Sequence, residues 1–349
     1  MNSLRILITI FLIGVAPMAA SGDELDRYET SLGGSERLRL FALTNIFDRY
    51  AADPAVRDGL RTELARQGYY YDGTGSRVLR QDMWIAPILA FDGNINGGTL
   101  NDRFRFAGLE FHADPRIKAK PGWVGGASVG ARTRFALGNG SLLDLQGEGK
   151  MSWSPRYDIG RSSAQISACL LNNLRGWTFL DLCHRLRENK RKLGRSTEAS
   201  TSARLSSLGQ VGNSYHEAWL QVERLSYGAS EQGVAIVGLR SIFDRIMPYG
   251  SVSFAQSIPN EMAFRSRIEL GVQLPRNGRI IDLFLWTQSA DGDRFLGAVR
   301  EDQTHGVGVS VQSTTGPRIT VSFVRNSSTA DFYDHSQLEA EIRLRDVRW

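Results

Sequence analysis

The stretch from Asp144 to Trp153 alternates, and that alternation constrains the chain more than any other feature. Asp144, Gln146, Glu148, Lys150 and Ser152 take the even positions, and Leu145, Gly147, Gly149, Met151 and Trp153 the odd ones. A period of two places the two sets on opposite faces of a strand. One face carries charges of both signs, and the other carries apolar or small residues ending in an aromatic. The pattern recurs. Val129, Ala131, Thr133, Phe135 and Leu137 alternate with Ser128, Gly130, Arg132 and Arg134. Ile268, Leu270, Val272 and Leu274 alternate with Arg267, Glu269, Gly271 and Gln273, and Leu338, Ala340, Ile342 and Leu344 with Gln337, Glu339, Glu341 and Arg343. Burying so charged a face in a dry core costs more than its pairings return, so water must reach it. A soluble sheet would need a second layer over many strands, which the remaining chain cannot supply. A transmembrane barrel turns the apolar face to lipid, and closure removes the edge strands.

Fifteen candidate strands follow Trp84, at 84–93, 104–112, 122–137, 142–154, 161–171, 177–188, 195–208, 214–226, 231–243, 247–257, 262–274, 279–290, 304–313, 317–326 and 337–349. Single-chain bacterial barrels have even strand numbers, so one of these is surplus, with 104–112 and the 231–257 region the weakest. The expected fold is all-β: a transmembrane antiparallel β-barrel of about fourteen strands over 84–349, preceded by a short helical segment. A mean hydropathy of −0.26 is compatible with this, because only every second residue need be apolar. The 36 glycines and 10 prolines suit many tight turns. A net charge of +5, scattered through the strands, gives a nucleic-acid role little support.

Residues 1–22 read as a secretory signal, with Arg5, an apolar run from Ile6 to Val15, and small residues at Ala19 to Gly22. The run is short for a membrane anchor, which needs about 20 residues. Residues 23–80 read as a small periplasmic helical segment and linker. Ser35 can cap a helix with Leu38, Phe41, Ile46, Phe47 and Tyr50. Asp53-Pro54 opens a second helix with Val56, Leu60 and Leu64, closing near Gly68. The pair is too small for its own core and is expected on the barrel or in its mouth. The address that follows is the outer membrane of a Gram-negative bacterium, with its lipid and the barrel assembly machinery as partners.

The charges assigned to the lumen are Arg132, Arg134, Glu148, Lys150, Asp181, Arg185, Arg204, Glu223, Arg265, Arg267, Glu269, Glu339, Glu341 and Arg343. Mixed signs suit cross-strand pairing in the wall, and equally a polar pore lining. Cys169 and Cys183 fall on polar faces either side of a turn near Gly176, so a cross-strand disulfide and two free lumenal thiols both remain open. Asp92, Asn94 and Asn96 point one way near a strand end. A hydrogen-bonded rim turn suits them better than a Ca²⁺ site, since one carboxylate with two amides is a poor ligand set. Trp123, Trp153, Trp177, Trp286 and Trp349 are candidates for an interfacial girdle. The five histidines are dispersed, and His335-Ser336 face opposite sides of a strand, so no catalytic set assembles. No metal site or cofactor is expected. Val347 and Trp349 form an apolar-x-aromatic terminus like the signal that such barrels show their assembly machinery. Because Ile342 and Leu344 have the other parity, a bulge near Arg345-Asp346 is required.

Two segments resemble the barrel of the surface lipoprotein assembly modifier (Slam) family. Phe91-Asp92-Gly93-Asn94-Ile95-Asn96 looks like that family's opening strand with its D-x-N-x-N ending. From Arg300 to Trp349, an Arg-x-Asp at Arg300 and Asp302, a strand start at Pro317, Asn326-Ser327-Ser328 and Tyr333-Asp334 look like its last hairpins. The resemblance implies a translocator that delivers surface lipoproteins or secreted proteins across the outer membrane. The family's larger periplasmic domain of tetratricopeptide repeats is missing, since 23–80 has room for about one 34-residue unit. The alternative is a passive, porin-like diffusion channel.

Overall fold

A computed structural model describes residues 35–349 apart from 70, 72, 74, 107, 229, 277, 314–315, 345–346 and 349. The expected signal at 1–22 and the terminal Trp349 lie outside the described residues. Two helices lead. In α1 (Glu36–Tyr50) the Ser35 hydroxyl accepts the Leu38 N–H at 3.0 Å, satisfying a donor that the first turn leaves free. In α2 (Pro54–Gln67), Asp53 caps, Pro54 starts the first turn, and Gly68 takes the left-handed conformation that ends it.

The sheet then runs β1 (Arg77–Asp92), β4 (Gly122–Gly138), β5 (Ser141–Ser154), β6 (Ile159–Arg175), β7 (Thr178–Arg191), β8 (Gly194–Val211) and β9 (Ser214–Tyr227). It continues through β10 (Ser230–Ile242), β11 (Met247–Ala255), β12 (Ala263–Arg276), β13 (Arg279–Phe295), β14 (Ala298–Ser313), β15 (Arg318–Ser328) and β16 (His335–Arg343). Each strand pairs antiparallel with its sequence neighbour, and β16 returns to β1, closing a fourteen-stranded barrel. A two-residue β17 (Val347–Arg348) carries the last strand on along β1.

Two expectations change. The candidate strand at 104–112 is a separate hairpin, β2 (Arg103–Phe106) with β3 (Leu109–His112), off the barrel; Gly108, at φ 79°, turns the chain between two arms of four residues. The barrel begins at Arg77, not Trp84, so the helical segment and linker end before residue 80. A bulge between Val78 and Arg80 obscures the period there. The register of the last strand shifts after Leu344, as the change of parity there required. Ile88 pairs with Arg343 but Ile85 with Val347, so one extra residue is accommodated between Leu344 and Val347. The cause is Pro87. Its carbonyl accepts the Leu344 N–H at 3.0 Å, but it has no N–H to return, and the ladder breaks at that point.

The outward face is apolar all round. Val129, Leu145, Met151, Ile166, Leu220, Val237, Phe254, Leu285, Val307 and Leu338 are all exposed. Among the described residues no helix is long and apolar enough to cross a membrane. Strands do that work here: an apolar outer belt around a polar interior is the arrangement a bilayer requires of a barrel. The chain is an outer-membrane β-barrel. Short turns at 139–140, 176–177 and 212–213 mark its periplasmic end, and the long 93–121 connection marks its outer end.

Candidate functional site: a plugged, charged lumen

Fourteen strands at ordinary spacing and tilt make a barrel about 28 Å across between backbones, and inward side chains take roughly 5 Å from each wall. Two packed helices, each about 10–12 Å wide, are enough to fill the roughly 18 Å that is left. The helical pair stands in the periplasmic mouth. Leu38, Phe41 and Ala42 of α1, with Tyr69, pack on Ala136, Leu142, Phe179, Leu208, Tyr215, Ile242 and Met247, which come from seven different strands near their periplasmic ends. Phe41 meets Trp177 and Tyr215 edge-on, with ring centroids 5.0 and 5.6 Å apart. The rest of the helix-to-helix contact (Leu43, Ile46, Val56) forms a cluster of its own.

Polar contacts set the depth of this plug. Arg37 forks onto Asp181 of β7 at 2.6 and 2.8 Å, reaches Ser206 at 3.2 Å, hydrogen-bonds Tyr69, and lies over the Phe179 ring, 4.2 Å from its centroid. Glu36 meets three wall arginines: Arg134 at 2.8 Å, Arg80 at 3.2 Å and Arg132 at 3.5 Å. Asp144 shares Arg132 and Arg134 from the next strand. Burial by itself would raise the Glu36 carboxyl, but Arg134 and Arg132, helped by Arg80, outweigh it and hold the group below the usual carboxylate range. Ser35 donates to Glu217 of β9 at 2.7 Å. Glu217 in turn lies between Arg204 and Arg240.

Of the residues expected in the lumen, Arg132, Arg134 and Asp181 thus hold the plug. Glu148 pairs with Arg343 at 3.2 Å and Lys150 with Glu341 at 3.7 Å. Arg267 bonds Glu269 at 2.8 Å and lies over Trp286. Glu339 accepts from Gln337 at 2.7 Å and Glu223 from Gln221 at 3.2 Å, while Arg185 is exposed on the inner face of β7. Arg265 sits in a bulge between Phe264 and Ser266 and pairs with Asp291. Glu36, Arg37 and Glu217 were missed. Glu217 shares the odd, inward face of β9 with Tyr215 and Glu223, which the period could have told; nothing local marks the two helical residues as wall contacts.

The inner wall has a second regularity. Trp84, Trp219, Tyr249, Trp286 and Phe284 point inward, and the register partner of each on the next strand is a glycine: Gly130, Gly238, Gly271, Gly306 and Gly308 respectively. A Cβ on Gly306 would stand 2.3 Å from the Trp286 ring. The missing side chains let the rings lie flat along the wall and keep the bore free. Trp286 is therefore not part of an interfacial girdle: its even number puts it on the inner face. Trp177 is not either, since it packs on the plug. Trp123 and Trp153 do face outward.

At the outer mouth Asp92, Asn94 and Asn96 build a rim turn. Asp92 accepts the Asn94 N–H at 2.7 Å and pairs with Arg161 and Arg191. Asn94 bonds both ways with Gly98, and Asn96 bridges Lys118 and Lys120. Every side-chain oxygen a cation would need is engaged by an N–H donor. Asn326 joins Thr304 to Tyr333, Arg300 stacks on Tyr333 and bonds Asp302, and Asn101 of the long loop reaches the Asp331 carbonyl at 2.6 Å. Ser327 pairs with Gln303. Val347 faces lipid beside Ile85. Cys169 and Cys183 are direct register partners joined by a disulfide on the inner face.

No protein-family model matches the chain, and no curated protein matches it. Solved structures of similar shape include Pseudomonas aeruginosa OccK1 (OpdK), at 8% identity and a TM-score of 0.43 over 77% of this chain and 99% of that one. Pseudomonas aeruginosa OccK2 (OpdF), solved with glucuronate, stands at 8% and 0.42 over 77% and 97%. CdiB from Acinetobacter baumannii stands at 9% and 0.38 over 77% and 60%. At such identity and superposition these likenesses carry no argument beyond the geometry above. The resemblance of the two end segments to the Slam barrel rests on those residues alone.

Proposed function

We propose that this chain is a porin-like channel for small hydrophilic solutes, held shut at its periplasmic mouth by its own helical hairpin. One observation carries the reading. The lumen is polar and charged along its length and its aromatics lie flat, while the obstruction is a separate element docked by side chains. In this reading the chain is a conduit and not an enzyme. The test is conductance of the full chain in planar bilayers. Discrete steps that lengthen when plug contacts are weakened support it. Silent membranes with both the native chain and plug variants that retain the fold would sink it.

A second reading, delivery of a lipoprotein or secreted client in the manner the Slam resemblance implies, is favoured by one feature. The two segments that carry the likeness lie side by side towards the outer mouth, where Phe91 pairs with Ala340. Protease shaving of intact cells with the gene deleted and restored tests it. Loss of one lipoprotein from the surface, but not from the cell, favours delivery, and an unchanged surface set removes it. Assembly-machinery recognition of the C-terminal residues is common to both readings.

A further inference from the structure

Most arginines of the inner wall are already committed. Arg132 and Arg134 share Asp144, Arg161 and Arg191 share Asp92, Arg267 bonds Glu269 and Arg343 bonds Glu148. Arg185 and Arg187 of β7 are not: among the described residues, neither has a hydrogen bond or ion pair. They take alternate positions, so both side chains leave the same inner face, and both are exposed there. Their register partners are Ser167 and Gln165 on β6, and Ser200 and Glu198 on β8. Glu198 stands opposite Arg187, yet the two form no ion pair. Like charges about 7 Å apart along one strand repel. A guanidinium without a protein partner keeps its planar fork of N–H donors free for an oxyanion.

Their position suits capture of a solute in the bore. On the same face of β7, Asp181 holds the plug through Arg37, and Arg191 holds the outer loop through the Asn94 carbonyl. Arg185 stands about 13 Å along the strand from Asp181, and Arg187 the same distance from Arg191. The disulfide at Cys183 ties this stretch to β6. Immediately outward of Arg187, the wall has a recess of 170 Å³ bounded by Lys150, Ser152, Arg161, Ser163, Asn189 and Arg191, with Glu341 beside them. Asp92 pairs with both of its arginines, Glu341 lies 3.7 Å from Lys150, and Glu339 is within electrostatic reach. Those carboxylates balance the recess, so the excess positive charge lies one step further in, at Arg187 and Arg185. A narrow lumen concentrates the field of such a pair on whatever passes.

We propose that Arg185 and Arg187 form a binding site for a small anion that carries a carboxylate or phosphate group. The two guanidiniums take its oxygens in charge-assisted hydrogen bonds, with the Ser167 and Ser200 hydroxyls beside them. The solute is held between the outer loop and the plug. This rests on the channel reading and names the class of solute conducted.

Calorimetric titration of the detergent-solubilised full chain, at low chloride, tests the site without conduction. Succinate and inorganic phosphate are the two probes, and the one that binds more tightly identifies the preferred oxyanion. Saturable binding of either is expected, and the double variant Arg185→Gln, Arg187→Gln should weaken it at least about tenfold. Lys190→Gln, on the opposite face of the same strand, should bind as the native chain does. Native protein that binds neither probe overturns the proposal whatever the variants do. So does binding that survives in the double variant, or that falls as far in Lys190→Gln. In bilayers, the Asp181→Asn barrel should pass anions in preference to cations across a KCl gradient, and adding the two arginine substitutions should abolish that preference. Silent bilayers with binding intact would remove the channel and keep the site; conducting bilayers without binding would do the reverse.

Discussion

Replacing Asp181 by Asn should open the channel. The substitution keeps the shape of the side chain and removes the charge on which Arg37 forks at 2.6 and 2.8 Å. Arg37 would stay largely buried between Tyr69 and Phe179, with Ser206 as its remaining wall acceptor. Stranding one partner of a fully buried pair costs about 3–5 kcal/mol. The two side chains here retain 11% and 13% exposure beside a wet lumen, so a discounted figure of about 2–3 kcal/mol is appropriate. At about 1.4 kcal/mol per factor of ten, the plug's docking equilibrium should shift by roughly 30- to 150-fold toward release. Single-channel recording in planar bilayers reads this as open time. The double variant Arg37→Leu, Asp181→Leu separates the pair from the plug: with no charge stranded, docking should recover most of the loss. Open time unchanged in a folded Asp181→Asn barrel would refute the argument that this ion pair seats the helices.

Three further outcomes follow from other contacts. Gly306→Ala places a Cβ 2.3 Å from the Trp286 ring, so the ring must leave the wall and disturb the Arg267 guanidinium that lies over it; unit conductance should fall at a stability cost of about 1–3 kcal/mol, and an unchanged conductance contradicts the flat-ring account. Glu36 lies below its ordinary pKa when docked, so its contribution to docking is complete above the ordinary carboxylate range and is lost as pH falls through the depressed value. Acid should therefore release the plug, and Glu36→Gln should remove that part of the pH dependence of open time. Replacing Cys169 and Cys183 by Ser should lower stability by about 3 kcal/mol, the chain-entropy value for a loop of this size, read as a lower unfolding temperature of the detergent-solubilised barrel.

Much of the barrel was legible because a period of two reports which face a residue takes. The even set from Asp144 to Ser152 and the odd set from Leu145 to Trp153 keep those faces in the structure. Parity also held evidence that girdle placement by strand ends overrode: Leu283 and Leu285 face lipid, so Trp286 had to face in. Period alone misled at 104–112, where two short arms alternate well yet fold onto each other about Gly108. The plug was only half legible. Caps at Ser35 and Asp53 declare two helices, but Leu38 and Phe41 find Phe179, Leu208 and Tyr215 on three strands far away in sequence. Which partner an inward charge chooses is set by strand tilt and bulges, so nothing near Arg132 or Arg134 tells that both converge on Asp144 and Glu36.

The position of the disulfide matters for register. β6 and β7 form one hairpin, and β7 presents both Phe179 and Asp181 to the plug. A one-residue slip in that hairpin would exchange its faces, sending Asp181 and Arg185 toward hydrocarbon and Leu180 and Leu182 into water. A bond between Cys169 and Cys183 forms only when these two residues stand opposite each other. In an oxidising periplasm it would record the correct alignment covalently, before the neighbouring strands arrive to enforce it. The cysteine pair thus acts as a proofreader of the hairpin that forms the seat of the plug.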